Sequence, residues 1–401
     1  LDTYACVDYV VMYEGEHAFL QLLEALGDGG DLSRVKSLAY RDEQGSARIT
    51  EPAPLCDLDE LPMPAYDLVP MERYSPFGLL WPKAITIQGS RGCPYGCDFC
   101  SWTNLEGEHY LNEDGSVRLV PTRRQKSVER TLAEIDLLYN KHGVRYLFWV
   151  DATWNFDSAW LEGVCDGIIQ RGYKLGWWAF VRADLMLEQE EQGLLEKMVR
   201  AGLRHCLFGG ERPDAAELAE IGKGNLAADA LLKVCRLLER KYPEVFRQAT
   251  FTTGIRSETA ASMERLADYS RRCHLDFAAY HPLQPYPGTA MWQQARAQGW
   301  IEEEDFSKYD MFNPIMSTEH LSREEVARLT SKITQDFVAK QPLSYARKLI
   351  SRHAIRRRLH WWFLFAIGRV MVTDAVSAAR GEKAFEGFSG ITHLWKPRWY
   401  D

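Results

Sequence analysis

Between Ala84 and Pro282, short apolar runs alternate with helix-like segments six times over. That rhythm restricts the fold more than any other property of the chain. AITIQ (84–88), VRYLFWV (144–150), KLGWWAF (174–180), LRHCLFGG (203–210), QATFTTG (248–254) and LDFAAYHP (275–282) read as strands, VRYLFWV as one buried on both faces. SVERTLAEIDLLYNKHG (127–143), SAWLEGVCDGIIQRG (158–172), EEQGLLEKMVRAG (190–202), LAADALLKVCRLLERK (226–241) and SETAASMERLADYSRRC (257–273) have helical spacing. Regular alternation of this kind predicts an α/β fold in which helices wrap a parallel sheet. A doubly wound open sheet and a full or partial barrel both satisfy it.

The flanks are different in texture. VDYVVMY (7–13) reads as a strand, GEH as a turn and AFLQLLEAL as a helix. A lone strand and helix cannot bury both their faces, so this opening is expected to be the end of a larger domain. Residues 31–83 carry Pro52, Pro54, Pro62, Pro64, Pro70, Pro76 and Pro82 and are linker-like, since proline forbids long regular elements. After Pro287 the chain turns mainly helical. Ser322 followed by Glu325 signals a capped helix over 321–340. The segment 345–372 has a basic half and then an aromatic, apolar half. It is either a core helix with a solvated basic approach or a segment lying on a membrane surface.

Among the 401 residues the net charge is −8, which argues against nucleic acid as the main partner. No apolar run reaches the ~20 residues that span a bilayer. Nine cysteines, an odd and mostly scattered set, suit a reducing, cytoplasmic setting. Cys56, Cys165, Cys206, Cys235 and Cys273 are expected to be buried thiols.

Polar residues gather where the predicted strands end: Asp151, Arg182, Glu211, Thr253 and His281. Parallel α/β folds bind ligands at the carboxyl ends of strands, so these groups are expected to share one rim, Tyr280 beside His281 included. For any one of them the alternative is an ordinary solvated strand end. On the same rim, directly after the first strand, comes RGCPYGCDFC (91–100), which places Cys93, Cys97 and Cys100 in one loop. Structural zinc takes four closed ligands, and no second cysteine pair or His-x₃-His lies near, so a remote histidine would have to complete such a site. A dithiol redox role would leave Cys93 unexplained. An iron–sulfur cubane, normally held by four cysteines, would keep one iron without a protein ligand and open to a substrate.

The spacing Cys-x₃-Cys-x₂-Cys, with Phe99 before the last cysteine, resembles the signature of the radical S-adenosylmethionine superfamily. SRGCPYGCDFCSW, FWVDATWNFD (148–157), WAFVRADLM (178–186), FGGERP (208–213), IGKGN (221–225), TTGIRSET (252–259) and PLQPYPGTAMW (282–292) fall in the order of motifs of its cobalamin-binding branch. That branch includes the anaerobic magnesium-protoporphyrin monomethyl ester oxidative cyclase and cobalamin-dependent methylases. FNPIMSTEHLSREEV (312–326) is most like the cyclase subgroup.

The resemblance implies a partial (β/α)₆ TIM-like barrel over 84–290 and a helical C-terminal region over 291–401. It also implies a Pro-rich linker over 31–83 and, over 1–30, a remnant of a Rossmann-like cobalamin domain. It implies a [4Fe–4S] cluster on Cys93, Cys97 and Cys100 whose open iron is chelated by S-adenosylmethionine. Reductive cleavage then gives a 5′-deoxyadenosyl radical for hydrogen abstraction, followed by cobalamin-linked methyl transfer or oxidative cyclisation of a tetrapyrrole. Phe99 is expected near the adenine, Asp151 and Glu211 near the amino group or ribose, and Arg182 near the carboxylate. No catalytic residue is assigned. A small-molecule substrate, tetrapyrrole or lipid-like, and an electron donor such as ferredoxin or flavodoxin are implied.

The alternative function is a non-catalytic iron–sulfur or zinc protein. Three departures stand out. The family's Asp-x-His-x-x-Gly cobalamin motif is absent from these residues, FGGERP replaces a commoner Gly-x-Glu-Ser, and Ile255–Arg256 stand where Leu-Pro is usual. An insert, 104–122, is expected to be a lid or a recognition hairpin.

Overall fold

The structure is a computed structural model that describes residues 1, 6–71, 83–113 and 117–379. The chain divides into two compact units: Leu1–Pro64, Ser90–Gly96 and Cys100–Ser127 form one, and Ala65–Gly89, Cys97–Phe99 and Val128 onward form the other.

The first unit opens with β1 (Tyr9–Val11) and α1 (Gly15–Asp28), so the GEH read as a turn is already the first turn of the helix. β1 pairs antiparallel with β2 (Leu38–Arg41), and β2 with β3 (Ala47–Ile49), so two short strands lie inside the proline-marked stretch. α1 packs Leu22 onto Val35 and Leu38, while Phe19, Leu20, Leu23 and Leu26 on its other side are exposed.

The second unit begins its sheet with β4 (Ala84–Ile87). The chain then crosses back to the first unit for β5 (Ser90–Gly92), α2 (Ser101–Glu106), β6 (Glu108–Leu111), β7 (Val117–Val120) and β8 (Arg123–Gln125). β5 pairs antiparallel with β8, and β6 with β7. The insert after the cysteine loop is therefore a hairpin. Glu14, just before α1, binds this part of the unit together. Its buried carboxylate accepts from the Cys56 N–H (3.0 Å) and pairs with Arg91 (3.2 Å) and Arg124. Burial pushes the Glu14 carboxyl up, but the bonds from Arg124, the Cys56 amide and Arg91 outweigh it and hold it below the ordinary range.

The rest of the second unit follows the predicted rhythm. α3 (Val128–Asp136), β9 (Tyr146–Trp149), α4 (Ser158–Gln170), β10 (Gly176–Val181), α5 (Ala183–Glu191) and α6 (Leu194–Ala201) come first. β11 (Leu203–Glu211), α7 (Ala215–Glu220), α8 (Ala230–Lys241), β12 (Phe246–Thr253), α9 (Ala260–Arg272) and β13 (Phe277–Pro282) complete it. Each of the six predicted strands is present. The sheet order is β4-β9-β10-β11-β12-β13, all parallel, so every strand adds beside its predecessor. A doubly wound sheet must reverse direction at a switch point. This one does not, and a sheet that adds strands in one direction, with β4 and β13 at its two edges and not paired to each other, has the topology of a partial barrel.

Side chains alternate between the two faces of the sheet. Ile85, Leu147, Trp149, Trp177, Ala179, Phe208, Phe251 and Tyr280 face the helices and join the main core with α3 to α6, α8 and α9. Four indoles, Trp149, Trp154, Trp160 and Trp177, pack there with ring centroids 5.7–6.5 Å apart. The five cysteines expected to be buried are buried. The other face carries Phe148, Trp178, Phe180, His205, Gln248 and Thr252. It is partly open, with Trp178 and Phe180 half-buried.

At the strand starts this second face is covered from the C-terminal region. After α10 (Ala290–Ala297), α11 (Arg323–Ala339) packs on α9 and β13 and shields the sheet edge. Its predicted cap is present: the Ser322 hydroxyl accepts from the Glu325 N–H and the Glu325 carboxylate accepts from that of Ser322. The basic–aromatic segment is broken into α12 (Pro342–Leu349) and α13 (Ala354–Ala379). Phe363 of α13 stacks on Phe246 and Phe277, the first residues of β12 and β13, and Leu359 is buried with them. The opposite side of α13 exposes Trp361, Leu364, Phe365, Val372 and Val376. Among the described residues no helix is long and apolar enough to cross a membrane.

Candidate functional site

The carboxyl ends of the six parallel strands carry a connected set of polar groups, all within the second unit. Asp151, fully buried after β9, accepts from the Gly89 N–H through both oxygens (3.1 and 3.2 Å), and so ties the exit of β4 to that of β9. Arg182 follows β10. Its backbone N–H donates to Asn155 Oδ1 (2.8 Å), while its guanidinium forks onto Asp184 (3.0 and 2.6 Å) and reaches toward Asn225 (3.5 Å). The pairing with Asp184 satisfies much of this side chain locally.

Glu211 ends β11 at a register shift and holds a φ of +38°, a left-handed backbone that costs a side-chain-bearing residue energy and marks a constrained position. Its carboxylate accepts from Lys223 Nζ (2.9 Å) and Thr252 Oγ1 (2.9 Å). Lys223 also donates to the Gly209 carbonyl (3.2 Å). Burial pulls Lys223 down, yet the Glu211 carboxylate and Cys97 together hold it above the ordinary lysine range. Lys223 is the residue that sequence reasoning passed over. It sits in IGKGN, and the signal available was a lysine between two glycines at a helix end.

The segment Cys97–Phe99 lies beside this pair. Phe99 packs on Ile221, Ile255, Leu283, Met291 and Met316, and the Asp98 carbonyl accepts from the Met291 N–H (3.0 Å). Gly222 makes the approach feasible: a Cβ there would lie 2.6 Å from Asp98 Cγ and 2.8 Å from its nitrogen, and φ is +70°. Cys93 and Cys100 belong to the first unit. There Gly92 (φ +81°) donates its N–H to Glu106 (2.7 Å), and a Cβ on it would meet the Thr122 carbonyl at 2.0 Å. Cys100 is the cap residue that starts α2. All three cysteines are half-buried, and none of the cysteines among the described residues forms a disulfide. Among the described residues, no three His, Cys, Asp or Glu side chains converge into a metal-holding group.

One expectation needs correction. Tyr280 and His281 do not share a rim, because neighbours in a strand point to opposite faces. Tyr280 is in the main core, its hydroxyl bonded to Ser270 (2.5 Å), and only His281 faces the partly open side. There a His281 ring N–H donates to the Met311 carbonyl (3.3 Å), and burial pulls the imidazole below its ordinary pKa. Glu258, in TTGIRSET, is engaged within the protein. Fully buried, it is gripped by Arg212 (2.9 and 2.8 Å), Ser262 Oγ (2.6 Å) and the Gly254 N–H (3.0 Å).

Compared with known proteins, the chain matches no family model. It is 29% identical over 328 residues to an uncharacterized methyltransferase of Pyrococcus horikoshii, covering 82% of this chain and 66% of that protein. It is 26% identical over 346 residues to the anaerobic magnesium-protoporphyrin IX monomethyl ester cyclase of Rubrivivax gelatinosus, covering 84% and 58%. The cobalamin-dependent S-adenosylmethionine radical enzyme OxsB, solved with aqua-cobalamin and S-adenosylmethionine, superposes over 97% of this chain and 62% of its own, with a TM-score of 0.62 at 14% identity. This is the radical S-adenosylmethionine fold. The radical S-adenosylmethionine methyltransferase TsrM from Kitasatospora setae, solved with cobalamin and a [4Fe-4S] cluster, shares that fold over 80% of this chain and 60% of its own, with a TM-score of 0.56 at 16% identity. By sequence the chain is a homologue of the anaerobic cyclases and methyltransferases. It spans 49–73% of the length of the cyclases it matches.

Proposed function

We propose that the chain carries the catalytic part of a radical S-adenosylmethionine enzyme, with a [4Fe–4S] cluster on Cys93, Cys97 and Cys100. The observation that carries this reading is the donor set: three thiols in eight residues, soon after the carboxyl end of the first strand of the parallel sheet. Three thiolates suit an iron–sulfur cubane with one open corner and fall short of a closed zinc site. Bound and reduced there, the cluster with S-adenosylmethionine supplies a 5′-deoxyadenosyl radical for hydrogen abstraction.

The chain's own residues have separable tasks. Lys223 and Glu211 form a buried pair of opposite charges beside Cys97, the complement of an amino acid's carboxylate and ammonium. Glu211 is the acceptor for the amino group and Lys223 the donor to the carboxylate. Phe99 provides an apolar floor with Ile221 and Met291 for the adenine. Asp151 works through the backbone: by holding the Gly89 N–H it fixes the direction in which the chain leaves β4 toward the cysteines. Arg182 organises the rim with Asp184 and Asn155, in addition to the carboxylate contact expected of it. On the open face Phe148, Trp178 and Phe180 exclude water from a reactive intermediate and suit a flat or apolar substrate, a tetrapyrrole among them. The outcome, methyl transfer with cobalamin or oxidative ring closure, is read from those relatives. The electron is proposed to come from a ferredoxin or flavodoxin.

The test is anaerobic reconstitution followed by reduction. We expect about four irons per chain and release of 5′-deoxyadenosine, both lost in Cys97→Ala. Tetrathiolate zinc, or a cluster that yields no deoxyadenosine under any reductant, would instead support the non-catalytic metal protein.

A further inference from the structure

At the strand starts of the second unit, a buried carboxylate is outnumbered by cations. Asp276, fully buried just before β13, meets Arg356 (2.7 Å), His360 (3.1 Å), Lys348 (3.5 Å) and Arg247 (3.5 Å). With His360 neutral, Arg356, Arg247 and Lys348 face the single carboxylate of Asp276, so cations outnumber the anion in a buried place, and burial already pulls Lys348 down to about 8. Buried charges without partners are costly, so a site that keeps such a surplus is incomplete as it stands.

Beside the cluster opens a cavity of about 460 Å³ lined by Lys348 and Arg356 together with Arg271, Arg347 and Ser344. Its one acid, Glu239, is already engaged by His274 (2.9 Å) and lies 4.0 Å from Arg247. Arg271 turns a buried Nη1 with no hydrogen-bond partner, although its other terminal nitrogen meets Asp268. Gln341 and Ser344, the start of α12, line the same space, and no side chain caps that helix. Pro342 opens this helix and has no N–H, so what the start offers an anion is the N–H groups of Leu343 and Ser344 and the positive dipole end.

We propose that this cavity binds a phosphate group, held by Arg271, Arg347, Lys348, Arg356 and the first turn of α12. A phosphate dianion offsets more of this cationic excess than a carboxylate does, and guanidinium forks suit phosphate oxygens. The phosphate is carried by a soluble molecule or by a lipid headgroup. The exposed Trp361 and Phe365 of α13 give the second source an apolar surface to follow.

The two sources separate in one experiment on the full chain. Inorganic phosphate and pyrophosphate are titrated by calorimetry at low salt with acetate as the control. Flotation is run with vesicles of phosphatidic acid in phosphatidylcholine and with phosphatidylcholine alone. Arg347 is exposed and makes no ion pair among the described residues, so Arg347→Glu is expected to fold with an unchanged melting temperature in the absence of anions. Phosphate or pyrophosphate should bind the native chain at least ten-fold more tightly than acetate, and Arg347→Glu should weaken that binding ten-fold or more. Flotation with phosphatidic acid that is also lost in Arg347→Glu assigns the lipid source, and binding of soluble phosphate without flotation assigns the soluble one. The proposal is overturned if no phosphate probe binds, if acetate binds as well, or if Arg347→Glu binds phosphate and vesicles as the native chain does.

Discussion

Arg212 and Glu258 are both fully buried and satisfy each other through two parallel hydrogen bonds. Removing one partner strands the other in a low dielectric. Arg212→Met is therefore expected to cost about 3–5 kcal/mol in denaturant unfolding, while the double replacement with Glu258→Leu recovers a large part of it. His205 gives a second prediction. On the open face of the sheet but fully buried, it bonds Gln248 (2.8 Å), and burial lowers its pKa to about 3. An unfolded chain takes up the proton near pH 6.5 and the folded one does not, so stability falls as pH drops from about 6.5 to about 3. His205→Gln should flatten that slope, by an amount on the order of 4 kcal/mol across the window. Lys223→Met should weaken S-adenosylmethionine binding to the reconstituted chain by ten-fold or more, measured by equilibrium dialysis without turnover, because Glu211 is then buried without its cation. The shared loop of the three cysteines and the strand-end position of Glu211 were legible in the sequence. The grip of Arg212 on Glu258 was not, because two residues 46 positions apart meet only through the fold.

Among the elements, the six strands of the sheet were legible because strands covered by helices read as uninterrupted apolar runs. A three-residue strand such as β3 holds too little of a two-residue period to be seen, and the alternation that separates Tyr280 from His281 was overlooked for the shared strand end. The break between α12 and α13 was also missed: nothing in LISRH but a serine marks it. The cysteine loop is shaped by glycines more than by its thiols. Gly222→Ala would drive a methyl group into Asp98 and displace Cys97–Phe99. The expected outcome is less than half the native iron content after reconstitution, with the helical circular dichroism unchanged. A native iron content would refute the role given to that contact.

For the chain as a whole, the match to OxsB extends over nearly all of it, whereas the cobalamin motif expected of the family lies in none of these residues. Cobalamin is therefore expected not to stay with the 401-residue chain through gel filtration, whereas the iron–sulfur cluster should. Co-elution of cobalamin in stoichiometric amount would locate a site that this reading lacks. The four indoles packed between β9, β10 and α4 bring one more consequence. Neighbours that close exchange excitation and, kept from solvent, emit toward the blue. Loosening of that wall should appear as a red shift in ultraviolet fluorescence, an optical gauge of barrel integrity for every variant described above.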